Sequence, residues 1–199
     1  MKQLLTHPEL YQLYQNAGGF HGARLKALKA YVDLSQVRRV FDIGCGPGFS
    51  VLHVPEGIDY VGFDTDTRYI EYANQKWQGR GRFFNRPFDR SAAEAFGAPD
   101  LIMLNGVLHH MDDDTAGTVC RDAAAVLNDE GTFLAIEPCL REGQHPVARI
   151  LAENDRGEYV RQEAGYAEIA RKAFPTSQVH IREDLSWVPF TFAIVTGSN

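Results

Sequence analysis

Apolar segments of strand length alternate with segments of helical periodicity along most of this 199-residue chain, and this alternation constrains the fold most. Uninterrupted apolar runs are typical of strands that are buried on both faces of a parallel sheet, which needs helical crossovers between its strands. We therefore predict an α/β fold with a doubly wound, mostly parallel sheet. The five runs are RRVFDIG, YVGFDTD, GRFFNRPF, DLIMLNGV and GTFLAIEP.

The C-terminal part of the chain departs from the alternation. A helical stretch from about residue 145 to residue 174 is followed by two strand-like segments, QVHIRED and VPFTFAIVTG, with a short connection between them. This ending predicts an antiparallel hairpin at one edge of the sheet. We expect a single domain over residues 1–199, in which residues 139–175 form a helical insertion near the substrate site.

Two helices are predicted ahead of the first strand. Thr6 and Glu9 have capping-box spacing at the start of THPELYQLYQ, and a second helix runs through ARLKALKAYV. We expect residues 1–36 to form a helical lid over the site. Arg24 in the second helix either meets an anionic group of a ligand or has an ordinary solvent role.

Composition excludes several classes of protein. The formal net charge is −6 without a cluster of Lys and Arg, which argues against nucleic acid or an anionic membrane as a partner. No apolar run approaches the roughly 20 residues of a membrane span. Three widely spaced cysteines show neither zinc spacing nor a disulfide framework, so we expect a cytoplasmic protein.

A glycine-rich loop follows the first predicted strand, in the sequence VFDIGCGPGF. Ligands of open α/β sheets bind beyond the carboxyl ends of the strands, where such a loop lies. A dinucleotide fingerprint needs Gly-x-Gly-x-x-Gly, but counting from Gly44 the sixth position is Phe49, and counting from Gly46 it is Val51. A phosphate-binding loop would need a Lys-Ser/Thr pair, which is also missing.

The pattern Asp-x-Gly-x-Gly-x-Gly resembles the first motif of the class I S-adenosylmethionine-dependent methyltransferases, over Val40 to Gly48, and YVGFD resembles their second motif. The resemblance implies a Rossmann-like, seven-stranded sheet with an antiparallel last strand and S-adenosylmethionine as cofactor. Asp64, at the end of the second strand, is placed to hold the ribose hydroxyls. The implied cofactor-binding residues are Asp42, Gly44, Cys45, Gly46, Gly48, Asp64, Thr65, Phe88, Asn105 and Gly106.

One departure from the family pattern concerns the residue that lies near the adenine of the cofactor. Many relatives carry an Asp just after the third strand, where this chain has Pro87. Two substitutes are open: Asp89 takes the place of the acid, or Phe88 packs against the adenine ring. At the end of the fourth strand the sequence NGVL differs from the Asn/Asp-Pro-Pro-aromatic element of enzymes that methylate nucleic-acid bases, which again argues against nucleic acid.

His109 and His110, after the fourth strand, are the candidate catalytic residues. Methyl transfer needs an acceptor with a free lone pair, and a histidine whose pKa lies near the operating pH can remove the acceptor proton. The alternative is that one of them packs or caps the next helix, and that catalysis rests on positioning alone. Asp112 to Asp114 are interpreted as the cap and dipole complement of that helix, so we expect no metal.

Two further regions leave alternatives open. Glu137, at the end of the fifth strand, either faces the pocket or has a structural role. Residues 139–175 carry polar and aromatic groups that suit a small polar acceptor, a salt-bridged surface or a homodimer contact: Arg149, Asp155, Arg156, Tyr159 and Arg161.

The sequence thus predicts a methyltransferase that acts on an oxygen or nitrogen of a small-molecule acceptor. The alternatives are an NAD-dependent oxidoreductase, which the spacing of the glycine loop disfavours, and a module that binds S-adenosylmethionine without turnover.

Overall fold

The computed structural model describes residues 18–199 and contains one seven-stranded sheet with helices on its faces. The first predicted helix, with Tyr11 and Tyr14, lies outside the described residues. The strands are β1 Arg39–Ile43, β2 Asp59–Asp64, β3 Arg82–Asn85, β4 Leu101–Asn105, β5 Thr132–Pro138, β6 Thr176–Arg182 and β7 Phe192–Ser198. The helices are α1 Phe20–Tyr31, α2 Thr67–Lys76, α3 Ser91–Phe96, α4 Asp113–Val126, α5 Pro146–Glu153 and α6 Glu163–Ala173.

The strand order β3-β2-β1-β4-β5-β7-β6 confirms the predicted fold class. Strand β1 pairs in parallel with β2 on one side and with β4 on the other. The direction of winding therefore reverses beside β1, and in open α/β sheets this reversal creates the ligand crevice at the carboxyl ends of the strands. The C-terminal hairpin is antiparallel as expected, with β7 between β5 and β6.

The core lies on both faces of the sheet, because successive side chains of a strand point to opposite faces. Phe41, Phe63, Ile102 and Phe133 belong to one buried cluster. Residues of the same strands that point to the opposite face belong to the other cluster: Val40, Tyr60, Leu101 and Leu134. This two-sided burial is the physical reason why the strands appear in the sequence as continuous apolar runs.

The predicted helical stretch between residues 145 and 174 is interrupted. It consists of α5 and α6 with an irregular connection, because α5 ends at Glu153 and the chain then packs against the turn after β4. The short helix α3 was absent from the predicted elements, since six residues give too little periodicity to detect. Within residues 18–199, no helix combines the length and the apolar composition that crossing a membrane would require.

Gly62 in the middle of β2 is a point of close packing that tests this arrangement. An added Cβ would fall 2.8 Å from Cys45 Sγ and 2.8 Å from Phe83 Cδ1, whereas one at Gly22 in α1 would meet nothing within 4 Å. We therefore expect Gly62→Ala to lower the free energy of unfolding by about 1–3 kcal/mol through overpacking. The matched control Gly22→Ala should raise it by up to about 1 kcal/mol, because Ala favours the helix.

Urea unfolding of the two variants and the wild type measures both changes. Equal stability of Gly62→Ala and the wild type would contradict the packing of the glycine loop against β2 and β3.

Candidate active site

The glycine loop between β1 and a short 3-10 turn, Phe49–His53, lies at the switch point of the sheet. Gly44, Gly46 and Gly48 all have positive φ angles, at 68°, 53° and 76°. A Cβ on Gly44 would meet Val107 Cγ2 at 2.7 Å, but one on Gly46 would reach nothing closer than 4.0 Å. The packing of the protein thus accounts for Gly44, whereas Gly46 borders open space that a ligand can fill.

A cavity of about 570 Å³ opens beside Gly46 and has a mostly apolar wall with a few polar groups. This composition is typical of small-molecule sites. Of the predicted cofactor-binding residues, it brings together Gly44, Gly46, Asp64, Thr65, Phe88, Asn105 and Gly106. Pro87 and Phe88 also line this cavity. Pro87 stands where many relatives carry the Asp that lies near the adenine of the cofactor.

Asp64 ties the end of β2 to the glycine loop. Its Oδ2 accepts a hydrogen bond from the Gly46 backbone N–H at 2.8 Å, and its Oδ1 accepts one from the Asp66 N–H at 2.8 Å. A carboxylate has about four acceptor positions, so both oxygens keep capacity for further donors such as hydroxyl groups.

Asp42 lies beneath the loop and is 1% exposed. Its carboxyl accepts a hydrogen bond from the Tyr60 hydroxyl, and burial raises its pKa to about 7, while the bonds to Tyr60 and Ser50 act in the opposite direction. Cys45 is also buried, which raises the pKa of its thiol well above the ordinary value. Both residues were predicted as cofactor contacts, and Cys45 belongs to the part of the loop that lines a cleft next to Arg24.

A smaller cleft also borders the glycine loop and shares Gly44, Gly46, Pro47 and Asn105 with the cavity. It is lined by Arg24, Phe49, Ser50 and Asn105 together with loop residues 44–47. The Asn105 side chain donates to Ser50 Oγ at 3.3 Å, and the Gly106 N–H donates to the Ile136 carbonyl at 2.9 Å. Arg24, whose role the sequence left open, therefore faces the loop from α1.

Glu137, at the end of β5, has no exposed surface and organises the turn after β4. Its Oε1 accepts hydrogen bonds from the N–H groups of Val107 at 2.9 Å and Leu108 at 3.0 Å. Its Oε2 lies 2.6 Å from His109 Nδ1 and accepts from the His109 N–H at 3.3 Å. Of the two roles open for Glu137, the structure shows the structural one.

His109 is 4% exposed and has a carboxylate at each ring nitrogen. Besides Glu137 at Nδ1, Asp155 Oδ1 lies 2.9 Å from Nε2. Burial by itself lowers the pKa of His109, but the hydrogen bonds to Asp155 and Glu137 prevail and raise it to about 9. His109 is consequently an imidazolium near neutral pH, without a lone pair for proton abstraction.

His110 differs from its neighbour because it lines the cavity. Burial lowers its pKa below the ordinary value, and the charge of His109, whose ring centroid is 4.2 Å away, lowers it further. The neutral form, which can accept a proton, is therefore favoured at neutral pH.

The acidic run after the histidines caps α4 as interpreted from the sequence. Asp112 is the N-cap, and its Oδ1 accepts a hydrogen bond from the Thr115 N–H at 2.8 Å.

Sequence reasoning did not identify Asp155 as the partner of His109. The one residue of the sequence that could have indicated a close contact here is Gly157, two residues after Asp155. The structure gives the reason for this glycine, because a Cβ there would fall 2.0 Å from the His109 ring.

The raised pKa of His109 makes stability depend on pH with a definite sign. Folding stabilises the imidazolium, so this contribution is complete below the unfolded pKa of about 6.5 and is lost as the pH rises through about 9. We expect the free energy of unfolding to fall by about 2 kcal/mol between about pH 6.5 and 8.5, at about 1.4 kcal/mol per pKa unit. His109→Gln should abolish this decline, and His110→Gln should keep it.

Denaturant unfolding at a series of pH values tests the ion pair. A wild-type protein whose stability stays constant over this interval would show that His109 is neutral in the folded state.

Comparison with known proteins agrees with this geometry. Residues 40–131 match the family model of a methyltransferase domain. A malonyl-[acyl-carrier protein] O-methyltransferase of Legionella pneumophila is 28% identical over 139 residues, which are 67% of this chain and 47% of that protein. The chain thus spans about half the length of this curated relative.

Solved structures share the fold at low sequence identity. The mitomycin 7-O-methyltransferase MmcR is 20% identical with a TM-score of 0.69, over 99% of this chain and 60% of its own. Human N-acetylserotonin methyltransferase, solved in complex with SAM, is 20% identical with a TM-score of 0.68, over 96% of this chain and 54% of its own. Residues 40–131 of this chain are thus similar to a methyltransferase domain, and the described residues have the seven-stranded, Rossmann-like fold of these solved structures.

Proposed function

We propose that this protein transfers a methyl group from S-adenosylmethionine to an oxygen or nitrogen of a small-molecule acceptor. The observation that carries the proposal is the position of Gly46, which borders open space beside Asp64 and lines both the cavity and the Arg24 cleft. The relatives point the same way, since they are named as methyltransferases and one of the solved structures was obtained with SAM.

The segment after the glycine loop supports S-adenosylmethionine over a dinucleotide. A pyrophosphate is bound by the N-terminus of a full helix, where several aligned N–H groups and the helix dipole stabilise its charge. Here the loop leads into a 3-10 turn of only five residues, Phe49–His53. The Phe49 ring packs against Trp77 at a centroid distance of 5.6 Å, where the dinucleotide fingerprint requires a glycine.

The two ends of the site suit the two ends of S-adenosylmethionine. Asp64 would accept hydrogen bonds from the ribose hydroxyls, and Phe88 would provide an apolar wall for the adenine. On the other side of Gly46, Arg24 would pair with the methionine carboxylate, and Asn105 would bond its amino group. The set of donors and acceptors therefore fits this cofactor.

S-adenosylmethionine supplies a methyl group on a sulfonium, whose C–S bond breaks with its electron pair going to sulfur as the acceptor forms the new bond. The chain has to orient the acceptor and take its proton. His110 is the candidate general base, because it lines the cavity in its neutral form. His109, between two carboxylates, fixes the turn that positions His110.

Of the alternatives, the non-catalytic module is the stronger one, because it would use the same binding residues. A test of His110 would separate it from an enzyme, since loss of a general base lowers turnover and leaves cofactor binding unchanged. An acceptor of small size is supported by the cavity and by the mitomycin and N-acetylserotonin enzymes among the structural relatives.

Transfer of labelled methyl from S-adenosylmethionine to a panel of phenols and amines tests the proposal. We expect His110→Gln to lower kcat/KM by about 100-fold or more, which is typical of the loss of a general base. For the wild type, the rate should rise with pH through a pKa below 6.5 and then level off, and the variant should lose this rise. His180→Gln, on the edge strand β6, is the matched control.

A variant His110→Gln that keeps both the rate and the pH profile would exclude His110 as the base. Tight cofactor binding by the wild type with no transfer to any acceptor would favour the binding module.

A further inference from the structure

The backbone of the turn after β4, which carries both histidines, is held from two sides. Glu137 accepts hydrogen bonds from the N–H groups of residues 107–109. Arg161, in the connection between α5 and α6, donates hydrogen bonds to two carbonyls of the same turn, those of Leu108 at 2.8 Å and Met111 at 2.6 Å. One buried carboxylate and one buried guanidinium therefore share the turn, and each binds one kind of backbone group.

The Arg161 guanidinium suits this position because its N–H groups form a rigid, planar fork. Its Nη1 binds the residue immediately before His109 and its Nη2 binds the residue immediately after His110, so a single group spans the two histidines. The ammonium of a lysine is a point charge on a flexible stem and does not reproduce this pair of bonds. The guanidinium therefore fixes the distance between the two ends of the turn.

Arg161 is itself fixed to the end of β5. Its carbonyl accepts a hydrogen bond from the Leu140 N–H at 3.1 Å. Its guanidinium carbon lies 5.8 Å from the centroid of the Tyr166 ring, and the Tyr166 hydroxyl donates to the Pro138 carbonyl at 2.8 Å. Since Glu137 precedes Pro138 in β5, both side chains that hold the histidine turn are anchored to the same strand end.

The ion pair of Arg161 contributes less to this arrangement than its carbonyl bonds do. Arg161 Nε pairs with Asp113 Oδ1 at 2.8 Å, but the Asp113 side chain is 83% exposed. Ion pairs at exposed carboxylates are screened by water and contribute little to stability. The bond to the Leu108 carbonyl is buried, and a buried carbonyl without a partner is costly.

From these contacts we infer that Arg161 is a positioning residue for His110. It holds the backbone of the histidine turn so that the His110 ring stays at the cavity wall, where the acceptor proton is removed. The inference rests on the proposed function, because Arg161 does not line the cavity itself and acts through the candidate base. A misplacement of a catalytic group by about 1 Å can lower the rate by about 100-fold.

The variant Arg161→Lys tests the inference, because it keeps the positive charge and removes the fork. We expect kcat to fall by about 10- to 100-fold, while KM for S-adenosylmethionine and the calorimetric affinity for S-adenosylhomocysteine stay unchanged. In the His110→Gln background the same replacement should change kcat by less than about twofold, because the effects of residues that act through one another do not add. Methyl transfer to the best acceptor of the panel is measured for the wild type, both single variants and the double variant.

The pKa of His110 separates positioning from a merely structural role. Burial lowers this pKa, and the charges of His109 and Arg156 lower it further. The carboxylates of Asp155 and Glu137 act in the opposite direction. Loss of the fork lets water reach the ring, so the pKa should rise towards 6.5 in the lysine variant, and the pH profile of kcat/KM should move with it. NMR titration of the histidine ring protons measures this pKa without an acceptor, and a merely structural role would leave it at the wild-type value.

Asp113→Asn is the matched control, because it removes the ion pair and leaves the carbonyl bonds of Arg161 in place. We expect it to keep the kcat and the His110 pKa of the wild type. If Asp113→Asn instead loses kcat by 10-fold or more, the carbonyl bonds do not carry the effect and the inference is overturned, whether or not Arg161→Lys folds.

Two further results would overturn the inference. One is a folded Arg161→Lys variant that keeps both the kcat and the His110 pKa of the wild type. The other is a loss of kcat that is undiminished in the His110→Gln background. A wild-type protein that methylates no acceptor would instead refute the proposed function, and the NMR titration would still test the role of Arg161.

Discussion

The buried carboxylate of Glu137 is the interaction on which the site depends. It accepts hydrogen bonds from three backbone N–H groups and pairs with the ring of His109, and so fixes the turn after β4 in the crevice of the sheet. A buried carboxylate is stable only when it is fully hydrogen-bonded or paired, and His109 provides the compensating positive charge. Through Asp155, the same imidazolium also holds the connection between α5 and α6.

The topology of the sheet brings the other residues of the site together. Parallel strands end at the same edge, so the glycine loop after β1, Asp64 after β2 and the histidines after β4 come together although they are far apart in sequence. Gly46 leaves room for a ligand between Asp64 and Arg24. The absence of a full helix after the loop, within the described chain, removes the element that dinucleotide sites use for their phosphates.

The sheet and the cofactor loop could be predicted from the sequence, because strand alternation, glycine spacing and the strand-end Asp64 are local patterns. The different environments of His109 and His110 could not. The two histidines are adjacent in sequence, and what separates them is burial together with partners such as Glu137, 28 residues away. Likewise, the burial of Asp42 within the predicted loop motif depends on a partner in another strand, the Tyr60 hydroxyl, which is 18 residues away.

The central claim is that this crevice binds S-adenosylmethionine, with Asp64 at its ribose end and Arg24 at its carboxylate end. Calorimetric titration with S-adenosylhomocysteine, 5′-methylthioadenosine (which lacks the carboxylate) and NAD tests it most directly. We expect S-adenosylhomocysteine to bind more tightly than 5′-methylthioadenosine, Arg24→Gln to remove that difference, Asp64→Ala to weaken both, and NAD not to bind. Binding of NAD alone would contradict the account, and the methyl-transfer mechanism would then be wrong.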